Sequence, residues 1–268
     1  MTPVPPVDLV AVDVGGTFLD FVAVDAHGGV RVHKQPSHRA DVARAFLEGL
    51  SALAPDGTRA IVHGTTVATN ALLERRGART ALVTTRGFAD VLEIGRQDRP
   101  ALYDLMPQRP PPLVPRELRF EVDERIAADG STVTPLDARS MRRVAAAIDR
   151  ADIDAVAVAF LFSFLNPAHE RTVRNALRTR DGRRFVTASH EVIPEFREYE
   201  RTSTTVANAY VSPLLARYLG AVADAARARH GVSSFEVMQS NGGVLDAADA
   251  GSLGARLVLS GPAGGVVG

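Results

Sequence analysis

Along the first 34 residues the apolar positions gather into three short runs, Val7 to Val14, Phe18 to Val24 and Val30 to Lys34. Glycine pairs suited to tight turns separate them, Gly15-Gly16 and Gly28-Gly29. Strand, turn, strand, turn, strand predicts an antiparallel meander, unlike the strand-then-helix opening of a Rossmann unit. From Asp41 to Leu53 the period changes. Apolar residues at 42, 43, 46, 47 and 50 form a helical stripe, with Asp41 as N-cap and Pro55 beyond its end.

The pattern then predicts α/β alternation. Ala60 to Val62 reads as a strand, Thr66 to Arg75 as a helix closed by Gly77, and Arg79 to Thr84 as a strand. Pro100 to Pro115 carries six prolines and reads as irregular. Arg119 to Ile126 and Thr132 to Thr134 predict a hairpin around Asp129-Gly130, followed by helix Asp137 to Arg150, strand Ala155 to Phe160, helix Pro167 to Arg180 and strand Phe185 to Ser189. After Pro194 one long helical stretch, Tyr199 to Arg229, is expected to break near Ser212-Pro213, with Pro213 starting a new helix and Ser212 capping it. Phe235 to Ser240 reads as a final strand. The change of texture places a domain boundary near residues 190–200.

Composition narrows the chemistry. The 268 residues are 46% hydrophobic and 23% charged, and 31 basic against 31 acidic side chains leave no net charge to draw nucleic acid or an anionic membrane surface. With no cysteine, disulfides, thiolate metal sites and a cysteine nucleophile are excluded. Lys34 is the only lysine, so no G-x-x-x-x-G-K-[ST] phosphate loop exists. The longest apolar run, Ala155 to Phe162, is far short of the ~20 residues that span a bilayer. The chain therefore reads as soluble and cytoplasmic.

The densest polar signal is Asp13-Val14-Gly15-Gly16-Thr17-Phe18-Leu19-Asp20. Two glycines at a hairpin tip let backbone N–H groups approach an anion, Thr17 adds a hydroxyl, and Asp13 can hold a hydrated Mg²⁺ beside phosphates. Taken alone, the same residues also read as an ordinary β-turn flanked by solvated carboxylates. His63-Gly64-Thr65-Thr66 follows a strand and opens a helix, aiming N–H groups and two hydroxyls at an anion or carbonyl. The other reading makes Thr65 a helix cap and His63 a half-buried structural imidazole. Arg96 either clamps a substrate carboxylate or is one of many surface arginines. Glu195, Arg197, Glu198, Glu200 and Arg201 are spaced as an exposed, salt-laced helix face. His190 lacks a second histidine four residues on and reads as structural.

A D-x-G-G-T turn between the first two strands of a meander resembles the first phosphate loop of the actin-like ATPases. A narrower resemblance lies in Asp13 to Asp20, His63 to Gly77, Thr84 to Gln97, Pro194 to Thr202, Ser240 to Gly243 and Ser260 to Gly268. Together these segments are similar to the hydantoinase A/oxoprolinase family, across essentially the whole chain. The resemblance implies an α/β, actin-like ATPase (ribonuclease H-like) fold, here the first lobe plus the beginning of the second. It implies an N-terminal actin-like domain over 1–190 and the start of a hydantoinase A-type domain over 191–268.

Carried over by position, the resemblance makes Asp13, Gly15, Gly16 and Thr17 a first phosphate loop for ATP, with Asp13 acting on Mg²⁺ through water and Asp20 ordering the loop. Gly261, Gly264 and Gly265 belong to the segment leading to a second phosphate loop. His63, Thr65, Thr66, Asn70 and Arg96 fall on the substrate side. Leu19 departs from the family threonine and is expected to pack inward, opposite residues 18 and 20. The implied chemistry is ATP-driven phosphorylation of an amide or ketone oxygen, opening a hydantoin or 5-oxoproline ring, in an oligomer with a hydantoinase B-type subunit. The alternatives are a non-catalytic or split-subunit module of an ATP-dependent carboxylase, and a small-metabolite kinase. Because the second D-x-G-G-T and the adenosine-binding glycines do not occur in these residues, the chain is expected to be part of a longer or split enzyme and inactive alone.

Overall fold

In a computed structural model the described residues are 7–260, apart from 39–40, 55–56, 99–100, 102, 107–108 and 180–181. The chain opens with β1 (Val7–Val14), β2 (Phe18–Asp25) and β3 (Val30–Pro36), then α1 (Val42–Leu53), β4 (Thr58–Thr65) and α2 (Val67–Leu73). It continues through β5 (Thr80–Thr85), α3 (Val91–Ile94), β6 (Arg119–Val122), β7 (Arg125–Ile126), β8 (Thr132–Thr134), α4 (Ala138–Arg150), β9 (Ala155–Ala159), α5 (Ala168–Leu177), β10 (Phe185–Ala188) and α6 (Ser189–Val192). It closes with α7 (Glu198–His230), β11 (Ser234–Met238), β12 (Val244–Asp246) and α8 (Ala247–Ser252).

These elements form two compact units, one made of Met1–Arg76 with Leu214–Gly268, the other of Gly77–Pro213. The boundary read near 190–200 falls inside the second unit. Unit 1 holds a six-stranded sheet in the order β12-β11-β4-β1-β2-β3. Strands β1 to β3 are the antiparallel meander, while β1, β4 and β11 run parallel, which is the ribonuclease H-like arrangement. Alternation sets its register. Val10, Val12, Val14, Leu19, Phe21 and Ala23 are buried on one face, so Leu19 packs inward as expected. Asp41 caps α1 by accepting from the Arg44 N–H at 3.0 Å. The helix lays Phe46 against Phe21 and Phe235, with centroids 6.0 Å apart in each pair, and burying a phenylalanine contributes about 1.5–3 kcal/mol.

Unit 2 is organised around an all-parallel sheet, β10-β9-β5-β6. β5 and β9 are buried at every position, as befits parallel strands covered on both faces. Asp137 caps α4 through the N–H groups of Arg139 and Ser140. The expected hairpin from Arg119 divides instead. β6 joins the parallel sheet beside β5, and only β7 pairs with β8. The alternation of charged and apolar residues from Arg119 to Ile126 cannot reveal that a strand changes partner at Asp123-Glu124. The expected break at Pro213 is also absent, since α7 runs through it as one helix. Buried Ala209, Tyr210, Val211 and Leu215 flank the proline, so packing outweighs its missing N–H. Arg201, read as exposed, is fully buried. Its Nη1 donates to the Phe160 carbonyl and the Ser189 hydroxyl, both at 2.7 Å, and to Ser163.

Candidate functional site

The Gly15-Gly16-Thr17 turn is closed by the Gly15 N–H donating to the Phe18 carbonyl at 3.0 Å. Beside it β4 delivers the next segment in parallel register, with Asp13 opposite Gly64 and Val14 opposite Thr65. The Thr66 N–H and hydroxyl both donate to the Val14 carbonyl, at 3.0 and 2.9 Å, pinning the start of α2 to the turn. Asn70, one helical turn on, donates from Nδ2 to the Thr66 hydroxyl at 3.3 Å.

On one side of this junction lies a cavity of about 440 Å³, lined by Gly15, Gly16, Thr66 and Asn70 together with Asp41, Glu74 and Tyr218. Its volume suits a small molecule. A Cβ added at Gly16 would reach ordinary contact with Asn70, 3.8 Å from its Nδ2, so a side chain there would lie between the turn and the Asn70 wall of the cavity. On the other side of the sheet, Asp13 faces Asp20 across the β1–β2 pair. Like charges directly opposite repel. Asp20 is compensated by Lys34, whose Nζ donates to it at 2.8 Å. Asp13 forms no ion pair or side-chain hydrogen bond among the described residues, and partial burial followed by the Asp20 charge pushes its pKa up. A solvent-facing carboxylate without a counter-charge, beside the Gly16-Thr17 end of the turn, suits a hydrated divalent cation and phosphate oxygens. Among the described residues no group of three acidic or histidine ligands is assembled, so the cation would keep most of its water.

The other sequence candidates are placed less directly. Thr65 is buried, and its hydroxyl accepts from the Val67 N–H at 3.2 Å as a helix cap does. His63 is fully buried between Phe46 and Phe235 and does not line the cavity. Burial pushes its pKa down to about 4, which the nearby Val12 carbonyl only partly offsets. The imidazole is therefore neutral near pH 7, and its Nε2 lies 3.2 Å from the Tyr218 hydroxyl. Burial raises the Tyr218 pKa, so this pair also stays neutral. His63 thus reaches the cavity through Tyr218, a residue no motif marked because it sits inside a long helix. Arg96 lies in unit 2 and pairs with Glu200 at 2.7 Å. Gly261, Gly264 and Gly265 lie outside the described residues.

Comparison with known proteins decides the lineage. The hydantoinase/oxoprolinase N-terminal region matches residues 9–180, and the hydantoinase/oxoprolinase domain matches residues 201–268. The chain belongs to the hydantoinase/oxoprolinase family. Within that family, the caprolactamase subunit alpha of Pseudomonas jessenii is 37% identical over 265 residues, covering 94% of this chain and 38% of its own. The 5-oxoprolinase of Saccharomyces cerevisiae is 31% identical over 305 residues, covering 97% and 23%. A nucleotide-free structure of acetone carboxylase, described in terms of ATP-dependent acetone carboxylation, superposes with a TM-score of 0.85 at 29% identity, over 98% of this chain and 40% of that one. The α/β fold is accordingly of the actin-like ATPase type. The chain spans less than half the length of each of these relatives. Among the described residues no helix is long and apolar enough to cross a membrane.

Proposed function

We propose that this chain supplies the first phosphate loop and the substrate pocket of an ATP-dependent, cytoplasmic enzyme that phosphorylates and opens a cyclic amide. The carrying observation is the two-sided turn, with an uncompensated Asp13 on one side and the Thr66–Asn70 cavity on the other. In this reading Gly16 and Thr17 present N–H groups, and Thr17 its hydroxyl, to the phosphates of ATP, while Gly15 closes the turn. Asp13 would hold hydrated Mg²⁺, which would neutralise charge on those phosphates, and the Asp20–Lys34 pair keeps the strand opposite in place. Gly261, Gly264 and Gly265 would extend the nucleotide contacts.

The small ring occupies the cavity, with its amide met by Thr66 and Asn70. Thr65 fixes the helix start, and His63 positions Tyr218. Arg96, in unit 2 and held by Glu200, is a separate candidate for binding a carboxylate within that unit. An amide nitrogen is a poor leaving group because resonance ties it to the carbonyl. Transfer of the phosphoryl group from ATP to the oxygen, with ADP leaving, makes the carbon open to water. Once water has added, the C–N bond breaks with the proton going to nitrogen, and a second water releases phosphate, positioning with charge neutralisation supplying most of the rate. A hydantoinase B-type subunit in an oligomeric assembly is the partner this reading implies, since several relatives are named as subunits.

Titration calorimetry with Mg-ATP tests the phosphate loop. Asp13→Asn and Gly16→Val should each weaken binding about tenfold or more, whereas Asn70→Ala should leave it unchanged. In the assembled enzyme, ADP release should match ring opening of 5-oxoproline, hydantoin or caprolactam, and Asn70→Ala should lower that turnover. Equal Mg-ATP affinity in wild type, Asp13→Asn and Gly16→Val overturns the reading. The likeness to acetone carboxylase favours one alternative, a carboxylase module, for which ADP release would depend on a ketone instead of a lactam.

A further inference from the structure

Unit 2 carries a second cavity that the steps above do not use. In its sheet the chain leaves β5 toward β6 on one side and leaves β9 toward β10 on the other. Connections that diverge from the carboxyl ends of neighbouring parallel strands open a crevice, the usual ligand position in open α/β sheets. Here the crevice is a cavity of about 300 Å³, walled by Phe88 after β5, by Leu161 and Phe162 after β9, and by Arg125 and Glu198. Phe162 holds a left-handed backbone, φ 52°, a costly conformation for an aromatic residue and one that concentrates at ligand sites.

The charges on this wall are specific. The Arg125 guanidinium lies 5.2 Å over the Phe88 ring and has no carboxylate partner among the described residues. Glu198 is half-buried at the start of α7 and forms no ion pair or side-chain hydrogen bond there, although its charge is felt by the buried Arg201. A third wall residue with a carboxyl group, Asp90, is already paired with Arg116 at 2.7 Å. One cation and one anion thus share an aromatic-walled cavity without meeting each other.

We propose that this cavity binds a small zwitterionic amino acid, with its carboxylate on Arg125, its ammonium on Glu198 and its hydrocarbon against Phe88, Leu161 and Phe162. The selectivity follows from the walls. A dicarboxylate would meet Glu198 with like charge, a diamine would meet Arg125, and a sugar would leave its hydroxyls against phenyl rings.

The full chain titrated with 6-aminohexanoate, followed by ligand-observed NMR and calorimetry, tests this. Saturable binding is expected, with hexanoate and hexylamine each about tenfold weaker or worse. Arg125→Gln and Glu198→Gln should each cost a similar factor while circular dichroism is unchanged. Gly16→Val, in the other unit, should leave binding intact. Absence of saturable binding, hexanoate binding as tightly as 6-aminohexanoate, or loss of binding in Gly16→Val would each overturn the assignment. The one-charge ligands decide it on the wild-type chain even where a variant fails to fold.

Discussion

A glycine inside a helix ordinarily costs about 1 kcal/mol relative to alanine, yet Gly49 lies in α1 where an added Cβ would fall within the buried Phe21 ring and 3.1 Å from Gln35 Oε1. Gly49→Ala should therefore lower stability by about 1–2 kcal/mol, the overpacking term exceeding the helix gain. Gly220, in α7 with open space around it, supplies the contrast. Gly220→Ala should raise stability by about 0.5–1 kcal/mol, and urea unfolding of the two variants checks the opposite signs.

His63 gives a pH signature at the same scale. Its folded pKa of about 4 lies below the unfolded 6.5, so the unfolded chain binds the extra proton between these values. Stability contributed by the neutral ring is complete above pH 6.5 and is lost as pH falls toward 4, by about 3 kcal/mol in all. His63→Asn should remove that share of the pH dependence, and unfolding measured at several pH values compares the slopes. The sequence placed His63 near the site because it precedes Gly64-Thr65-Thr66. It gave no hint of full burial, which depends on Phe46 and Phe235 arriving from distant elements.

Among elements, α5, α6 and α7 are tied by one buried carboxylate. Glu170 Oε1 accepts from the Phe160 N–H at 2.8 Å and the Ser189 hydroxyl at 2.6 Å, while Oε2 accepts from the His190 N–H at 3.0 Å and lies 2.7 Å from His190 Nδ1. Removing it strands these donors beside Arg201. Glu170→Ala should cost about 3–5 kcal/mol, measured by thermal or urea unfolding. Pro213→Ala should act oppositely, restoring a helical N–H in α7 and raising stability by about 1 kcal/mol after the loss of proline's effect on the unfolded chain. Local signals carried the meander, the Asp41 cap and the α/β alternation, because each depends on residues close in sequence. The partner change between β6 and β7, the uninterrupted α7 and the burial of Arg201 depend on packing between distant segments. Charged spacing in 195–201 looks the same whether a guanidinium meets water or three buried oxygens.

At the scale of the whole molecule, the outward face of the unit 1 meander stands out. Leu9, Phe18, Val22, Val30 and Val32 are exposed there, Val32 at 75%. Cross-strand register arranges the face in rows: Asp13, Asp20 and Lys34 form a charged row beside the turn, and Ala11, Val22 and Val32 an apolar one. The apolar row meets water on β3, which among the described residues is an edge strand of the sheet. A contiguous apolar face on an edge strand favours association. The isolated chain should therefore self-associate with rising concentration in sedimentation velocity. Val32→Lys should suppress this while leaving circular dichroism and Mg-ATP affinity unchanged, because residue 32 lies in the row next to, but outside, the one that carries Asp13. Association that persists in Val32→Lys would move the contact elsewhere. Loss of nucleotide affinity in that variant would mean that the two rows act as one surface, so the experiment also measures how far the phosphate side of the turn extends across the sheet.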